Sequence, residues 1–172
     1  RNLGNIKANG STRVAGIVAS NSDKGSILNC INEGDIEYVG YRNMNLGGLV
    51  ADNGWGMIKG SKNFGKITVR LLGSYDGISI DPRATLFSTS HVAGVVADDA
   101  DLDSCENHGD ITAIAMDDFK GGLILGGVSA GPYVFKDVKL DHSLNTGAIT
   151  FVDSTSLILK TIMLGGVAGR AN

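Results

Sequence analysis

The chain has 172 residues, a formal net charge of −3 and a sequence pI of about 5.5. Its charges are scattered without a basic stripe and aromatic residues make up only 6%, which excludes the charge footprint and the stacking platforms of a nucleic-acid binder. Hydrophobic residues reach 42% and mean hydropathy is +0.08, so this is no disordered linker, yet no apolar run approaches the roughly 20 residues of a membrane-spanning helix.

Glycine is unusually frequent, 25 residues against only 2 prolines, about twice its ordinary share. It does not recur at every third position, so collagen is excluded. From the N-terminus, two phrases alternate instead. The first is Asn-x-Gly-x-Ile, at Asn2-Leu3-Gly4-Asn5-Ile6, Asn32-Glu33-Gly34-Asp35-Ile36, Asn63-Phe64-Gly65-Lys66-Ile67, Asn107-His108-Gly109-Asp110-Ile111 and Asn145-Thr146-Gly147-Ala148-Ile149. The second is a small residue, Gly and then an aliphatic, at Ala15-Gly16-Ile17, Gly47-Gly48-Leu49, Ala93-Gly94-Val95, Gly126-Gly127-Val128 and Gly165-Gly166-Val167. Strict alternation of this kind marks a repeat protein.

The first phrase extends backwards in four copies, with Ile27, Ile58, Leu102 or Leu140 five residues before the Asn and Cys30, Ser61, Cys105 or Ser143 two before it. Each Ile that ends the phrase opens a run rich in β-branched residues, such as Ile67-Thr68-Val69, which predicts a strand. Gly34, Gly65, Gly109 and Gly147 are expected to supply a positive φ at a tight corner. Stacked copies would align Asn32, Asn63, Asn107 and Asn145 into a hydrogen-bonded ladder. The Cys/Ser position suits a narrow interior. The second phrase predicts a strand of about four residues, as in Gly48-Leu49-Val50-Ala51, followed by a turn such as Asp52-Asn53-Gly54.

The Asn residues are spaced by 30, 31, 44 and 38, and no amphipathic helix fits between them. The expected fold is all-β: one domain, residues 1–172, a parallel β-solenoid or β-helix of about five coils with two or three strands each and a rise of about 4.8 Å per coil. Repeats start near residues 2, 27, 58, 102 and 140, and residues 70–90 form an insertion in which Asp76-Gly77 could close a hairpin. There is no start Met and no secretion leader, and the chain starts and stops inside a phrase without a polar cap. It therefore reads as part of a longer array with neighbours on one or both sides.

These phrases, Gly-Gly-Leu-Val and Gly-Gly-Val alternating with Cys-x-Asn-x-Gly-x-Ile, resemble the GLUG-motif repeats of large bacterial surface proteins. Such repeats also occur in non-catalytic regions of secreted immunoglobulin-cleaving peptidases. The resemblance covers nearly the whole chain, though Ala93-Gly94 stands where Gly-Gly is usual. It implies a secreted or surface-attached bacterial β-solenoid that is adhesive or structural rather than enzymatic. A stalk or accessory domain of a secreted peptidase or carbohydrate-active enzyme is the alternative. Its partners would be neighbouring domains of the same chain and a host glycan or extracellular protein.

Candidate sites are few. Cys30 and Cys105 occupy one repeat position two copies apart, roughly 9 to 10 Å, beyond the about 7 Å of a disulfide, so two free, buried thiols are expected. Asp98, Asp99, Asp101 and Asp103 could hold calcium but read better as a solvated turn, as do Asp117-Asp118. His91, His108 and His142 do not converge and read as surface or corner residues. No catalytic set, metal site or cofactor is expected. Trp55, on a Gly-flanked turn, could stack on a sugar, anchor a partner or cover the core edge, with Tyr75, Tyr38 and Tyr41 as companions.

Overall fold

A computed structural model describes the chain apart from residues 11, 22–24, 42, 55, 74–88, 99, 117, 118, 120, 132–138, 156–160, 171 and 172. Among the described residues there are 21 strands and no helix, and every strand pairing is parallel. The strands fall into five sheets, and the chain visits the sheets in the same order in each copy. An approach sheet holds Ser26–Leu28, Met57–Lys59, Asp101–Asp103 and Leu140–Asp141. The asparagine sheet holds Ile31–Asn32, Lys62–Asn63, Glu106–Asn107 and Leu144–Asn145. A long sheet follows, with Ile6–Asn9, Ile36–Gly40, Ile67–Leu71, Ile111–Ala115 and Ile149–Asp153. Next comes the glycine sheet, Arg13–Ala15, Asn45–Gly47, Thr89–Ala93, Gly122–Gly126 and Ile162–Gly165. A return sheet of Val18–Ser20, Val50–Asp52 and Val96–Asp98 completes the set, extended by the bridges Val96 to Ser129 and Ser129 to Ala168.

The register follows the phrases residue for residue. Ile36, Ile67, Ile111 and Ile149 pair in line, as do Ile58 with Ile27 and Leu102, and Leu102 with Leu140. The second and third copies each contain five short strands rather than the two or three expected, because corners interrupt the chain every few residues. The second phrase is itself such a corner. One strand ends on Gly47 and another starts at Val50, so Gly48-Leu49 joins two strands instead of opening one.

The asparagine ladder is continuous. Asn2 Nδ2 donates to Asn32 Oδ1 at 2.7 Å, Asn32 to Asn63 at 2.8 Å, Asn63 to Asn107 at 2.8 Å and Asn107 to Asn145 at 2.7 Å. The second Nδ2 hydrogen of each goes to the carbonyl of the Gly two residues on, at 2.9 to 3.0 Å. Asn32, Asn63 and Asn107 are fully buried, so each bond is one that water could not replace. A second, shorter ladder runs from Asn21 Nδ2 to Asn53 Oδ1 at 2.8 Å. The sequence signals only turns at these positions, because the two asparagines lie outside the recurring phrases.

The glycines of the first phrase do not have positive φ. That expectation is corrected: they are needed for close approach. A Cβ on Gly34, Gly65 or Gly109 would lie 2.0 Å from the carbonyl oxygen of the phrase glycine one copy back, and on Gly147 2.1 Å from that of Gly109. The left-handed corner lies earlier, at Asn29 (φ 53°), Gly60 (φ 60°), Ser104 (φ 56°) and His142 (φ 50°), three residues before each Asn. Directly after this corner the Cys/Ser side chain donates back to the carbonyl two residues before it. The bonds are Cys30 to Leu28 at 3.5 Å, Ser61 to Lys59 at 3.1 Å, Cys105 to Asp103 at 3.6 Å and Ser143 to Asp141 at 3.1 Å. A small side chain bearing one X–H donor is what this position requires, and Cys and Ser both meet it.

The two phrases alternate because they face each other across the interior. A Cβ on Gly16, Gly48, Gly94 or Gly127 would lie 2.1 to 2.5 Å from the Cγ of Asn32, Asn63, Asn107 or Asn145 respectively. Two apolar clusters flank this waist. One lies between the long and glycine sheets and contains Ile36, Leu46, Ile67, Val69, Val92, Ile111 and Leu125. The other lies between the approach and return sheets and contains Ile58, Val50, Val96, Leu102 and Cys105.

Candidate functional site

The expected ligand residues divide sharply. Trp55 and Tyr75 lie outside the described residues, as do Asp99, Asp117, Asp118 and the Asp76-Gly77 turn. Tyr38 is 1% exposed and belongs to the apolar cluster beside the long sheet, so it is corrected from a surface contact to a core residue. Its inward direction follows from alternation along Ile36–Gly40. Gly40 leaves the space its hydroxyl occupies, since a Cβ there would lie 2.3 Å from that oxygen. Tyr41 is half-buried at the corner between the long and glycine sheets.

Both cysteines are free, with Ser61 on the copy between them. Cys105 is buried, and burial raises its thiol pKa above the ordinary value, which makes it unreactive. Cys30 is only half-buried, correcting the expectation of two buried thiols: Ser61 flanks it on one side of the stack alone.

The acidic cluster is split by the fold. Asp98 is 6% exposed, on the return sheet, where Asn45 Nδ2 donates to its Oδ2 at 3.3 Å. It is therefore no solvated turn residue. Asp101 and Asp103 lie on the approach sheet, and Lys59 Nζ meets Asp103 at 2.6 Å, holding that carboxyl below its ordinary pKa. Among the described residues no group of His, Cys, Asp and Glu is arranged to hold a metal ion.

His91 is likewise corrected. It is 3% exposed, its Nδ1 lies 4.0 Å from Asp98 Oδ1, and burial followed by the Arg170 charge lowers its pKa to about 4. With Val92 facing the core, alternation puts His91 on the outer side of the glycine sheet, in line with Asn45 and Arg13. Arg13 Nε donates to Asp52 Oδ2 at 2.8 Å, so a polar row links the glycine and return sheets across their corner.

The outer face of the asparagine sheet carries an open surface of mixed character. Phe64, 45% exposed, stacks on His108 with ring centroids 4.8 Å apart and planes 12° apart. The imidazole is held by Thr146 Oγ1 and Glu106 Oε2, each at 2.7 Å, and Lys62 donates to Glu106 at 2.9 Å. Lys62, and then His108, keep the Glu106 carboxyl below its ordinary pKa. Arg1 and Glu33 extend the row. No sequence signal singled this row out, because its members occupy the variable slots of the phrase. Chemically it offers an apolar ring among fixed charges.

Compared with family models, curated proteins and solved structures, the chain matches none.

The variable segments leave the framework at fixed places. In chain order residues 41–44, 72–88 and 116–121 follow the long sheet and precede the glycine sheet, and residues 53–56, 99–100 and 130–139 follow the return sheet and precede the approach sheet. Although residues 72–88 separate it in the chain from Ile67–Leu71, Thr89–Ala93 is in register, with His91 on Asn45 and Ala93 on Gly47.

Proposed function

We propose that the chain is a parallel β-solenoid of about five coils. We read it as a non-enzymatic structural and adhesive module of a bacterial cell-surface or secreted protein, of the GLUG-repeat kind its phrases resemble. The observation that carries this reading is the constancy of register across the insertion. The asparagine and glycine columns run on unchanged while the segments that join the long sheet to the glycine sheet, and those that join the return sheet to the approach sheet, differ in length from copy to copy. A constant frame with loops of variable length is the usual arrangement of a binding surface on a repeat scaffold. Buried polar side chains serve the frame, as the ladder asparagines do, which fits a presenting role better than a chemical one.

Partners of this kind are extracellular: a host glycan or matrix protein, together with neighbouring domains of a longer chain. The Phe64–His108 row, one sheet away from the insertion corner, would add an aromatic contact. The test is a panel of glycans and host matrix proteins offered to the chain and to a variant with residues 74–88 replaced by a short Gly-Ser turn. Binding by the chain that disappears in the variant is the expected result. No binding by either form would overturn adhesion and leave a spacer.

A further inference from the structure

The slot between Asn and Gly of the first phrase lies on the outer face of the asparagine sheet. In two adjacent copies it brings a hydroxyl onto an imidazole. Thr146 Oγ1 lies 2.7 Å from His108 Nδ1, and His108 Nε2 lies 2.7 Å from Glu106 Oε2. The direction of the hydrogen bonds along this line is set by its charged end. Lys62 Nζ donates to Glu106 Oε1 at 2.9 Å, and Lys62 and His108 favour the ionised carboxyl, so both of its oxygens accept. His108 Nε2 therefore carries the ring proton. The neutral ring then has its lone pair on Nδ1, and the Thr146 hydroxyl donates to it.

A hydroxyl aimed at a base that is itself oriented by a carboxylate is the arrangement that activates a nucleophile. Phe64 fixes the base further by stacking on its ring, 4.8 Å away and 12° from parallel. Thr146 is exposed, and its place in the last copy is not the cause. Glu33 and Phe64 hold the same slot with a copy on each side and are exposed as well. Two amide groups beside the hydroxyl are already engaged. Thr146 N–H donates to the Asn107 carbonyl at 2.8 Å, and Ala148 N–H donates to Asp110 Oδ1 at 3.0 Å. Neither is free to receive the negative charge that builds on an attacked carbonyl oxygen. The acyl donor must then bring its own activation, as thioesters and aryl esters do.

We propose that Thr146 is an acyl-accepting nucleophile, with His108 as its general base and Glu106 as the residue that positions that base. A lone pair of Thr146 Oγ1 forms the bond to the acyl carbon, and the hydroxyl proton passes to His108 Nδ1. The bond from that carbon to the leaving sulfur or oxygen breaks, and the electron pair goes with the leaving group. The departing thiolate or phenolate takes up the proton from the imidazolium. The chain is left as a Thr146 ester with His108 neutral again. One acyl group is transferred per chain and turnover is not required. The step is independent of what the module binds through its loops.

The experiment offers p-nitrophenyl acetate to the whole chain at neutral pH and follows p-nitrophenolate release. Peptide mass spectrometry then locates the acetyl group. The expected result is acetylation of Thr146 that hydroxylamine reverses, as it does for an ester. Thr146→Val should abolish it, and His108→Gln should slow it by about 100-fold or more. Both variants should melt close to the unmodified chain, since the same slot holds Leu3, Glu33 and Phe64 in other copies. Glu106→Gln should slow the reaction too, because its amide can donate to Nε2 and so shift the ring proton to Nδ1. The nitrogen shifts of the His108 ring in NMR should report that exchange of tautomer, which a merely structural role would not produce. Acetyl groups found on lysines or Cys30 but not on Thr146 would overturn the proposal. Labelling of Thr146 as fast in His108→Gln as in the unmodified chain would overturn it equally.

Discussion

The middle copies and the end copies carry the same phrase in different surroundings. Gly109 and Gly4 occupy one repeat position, yet a Cβ would lie 2.0 Å from a backbone oxygen at Gly109 and 3.8 Å from the nearest atom at Gly4. Asn107 is fully buried between two ladder neighbours, whereas Asn2 has one and is half-buried. Cys105 is buried and Cys30 is not. The lesson is that the phrase encodes compatibility with stacking, and that each residue's energetic weight comes from the copies beside it.

The sharpest way to break this comparison is Gly109→Ala. Its methyl can be admitted only by moving the backbone of the neighbouring copy, so the loss should be about 3 kcal/mol in urea unfolding. Gly4→Ala should lose nothing measurable, and equal stability of the two variants would refute the close-approach account. Asn107→Ala comes next. It strands the Asn63 donor and the Asn145 acceptor and should cost about 1 to 3 kcal/mol, against a smaller loss for Asn2→Ala. An unchanged melting temperature for Asn107→Ala would remove the ladder as a stabilising element.

His91 and His142 extend the contrast to pH. The side chain of His142 is 84% exposed, and His91 is buried with its pKa lowered to about 4 from an ordinary 6.5. Between those values the unfolded chain binds the proton and the folded chain does not, so stability falls as pH is lowered through that window. The loss at pH 5 relative to pH 8 should be about 1 to 2 kcal/mol and should vanish in His91→Gln but persist in His142→Gln. A pH profile unaltered by His91→Gln would show that the burial of that imidazole has no cost. The smallest effect is kinetic and leaves the fold intact. Thiol titration of the native chain should modify Cys30 readily and Cys105 only on unfolding, with two thiols counted in denaturant; finding none would mean the register between the two copies is wrong.

Much of this was legible in the residues. Asn-x-Gly-x-Ile located the ladder and the start of each long strand, because an amide that bonds both its neighbour and its own loop has few substitutes. The phrase did not reveal why its glycine is there. A positive φ and a carbonyl at 2.0 Å both demand Gly, and the second depends on a residue about thirty positions away. The Phe64–His108 row was hidden for the opposite reason, since its members differ from copy to copy and share only their place on one face.

The residue pattern alone establishes that the chain repeats, that it is all-β, and that asparagine, glycine and a small hydrogen-bond donor recur at set offsets. Those are periodic properties, and periodicity is local information. Packing between copies is what puts the corner at Asn29, Gly60, Ser104 and His142, buries Tyr38 and His91, and lays the asparagines of one phrase against the glycines of the other. Each of these is set by contact between segments far apart in the chain, where backbone approaching backbone leaves no room for a side chain.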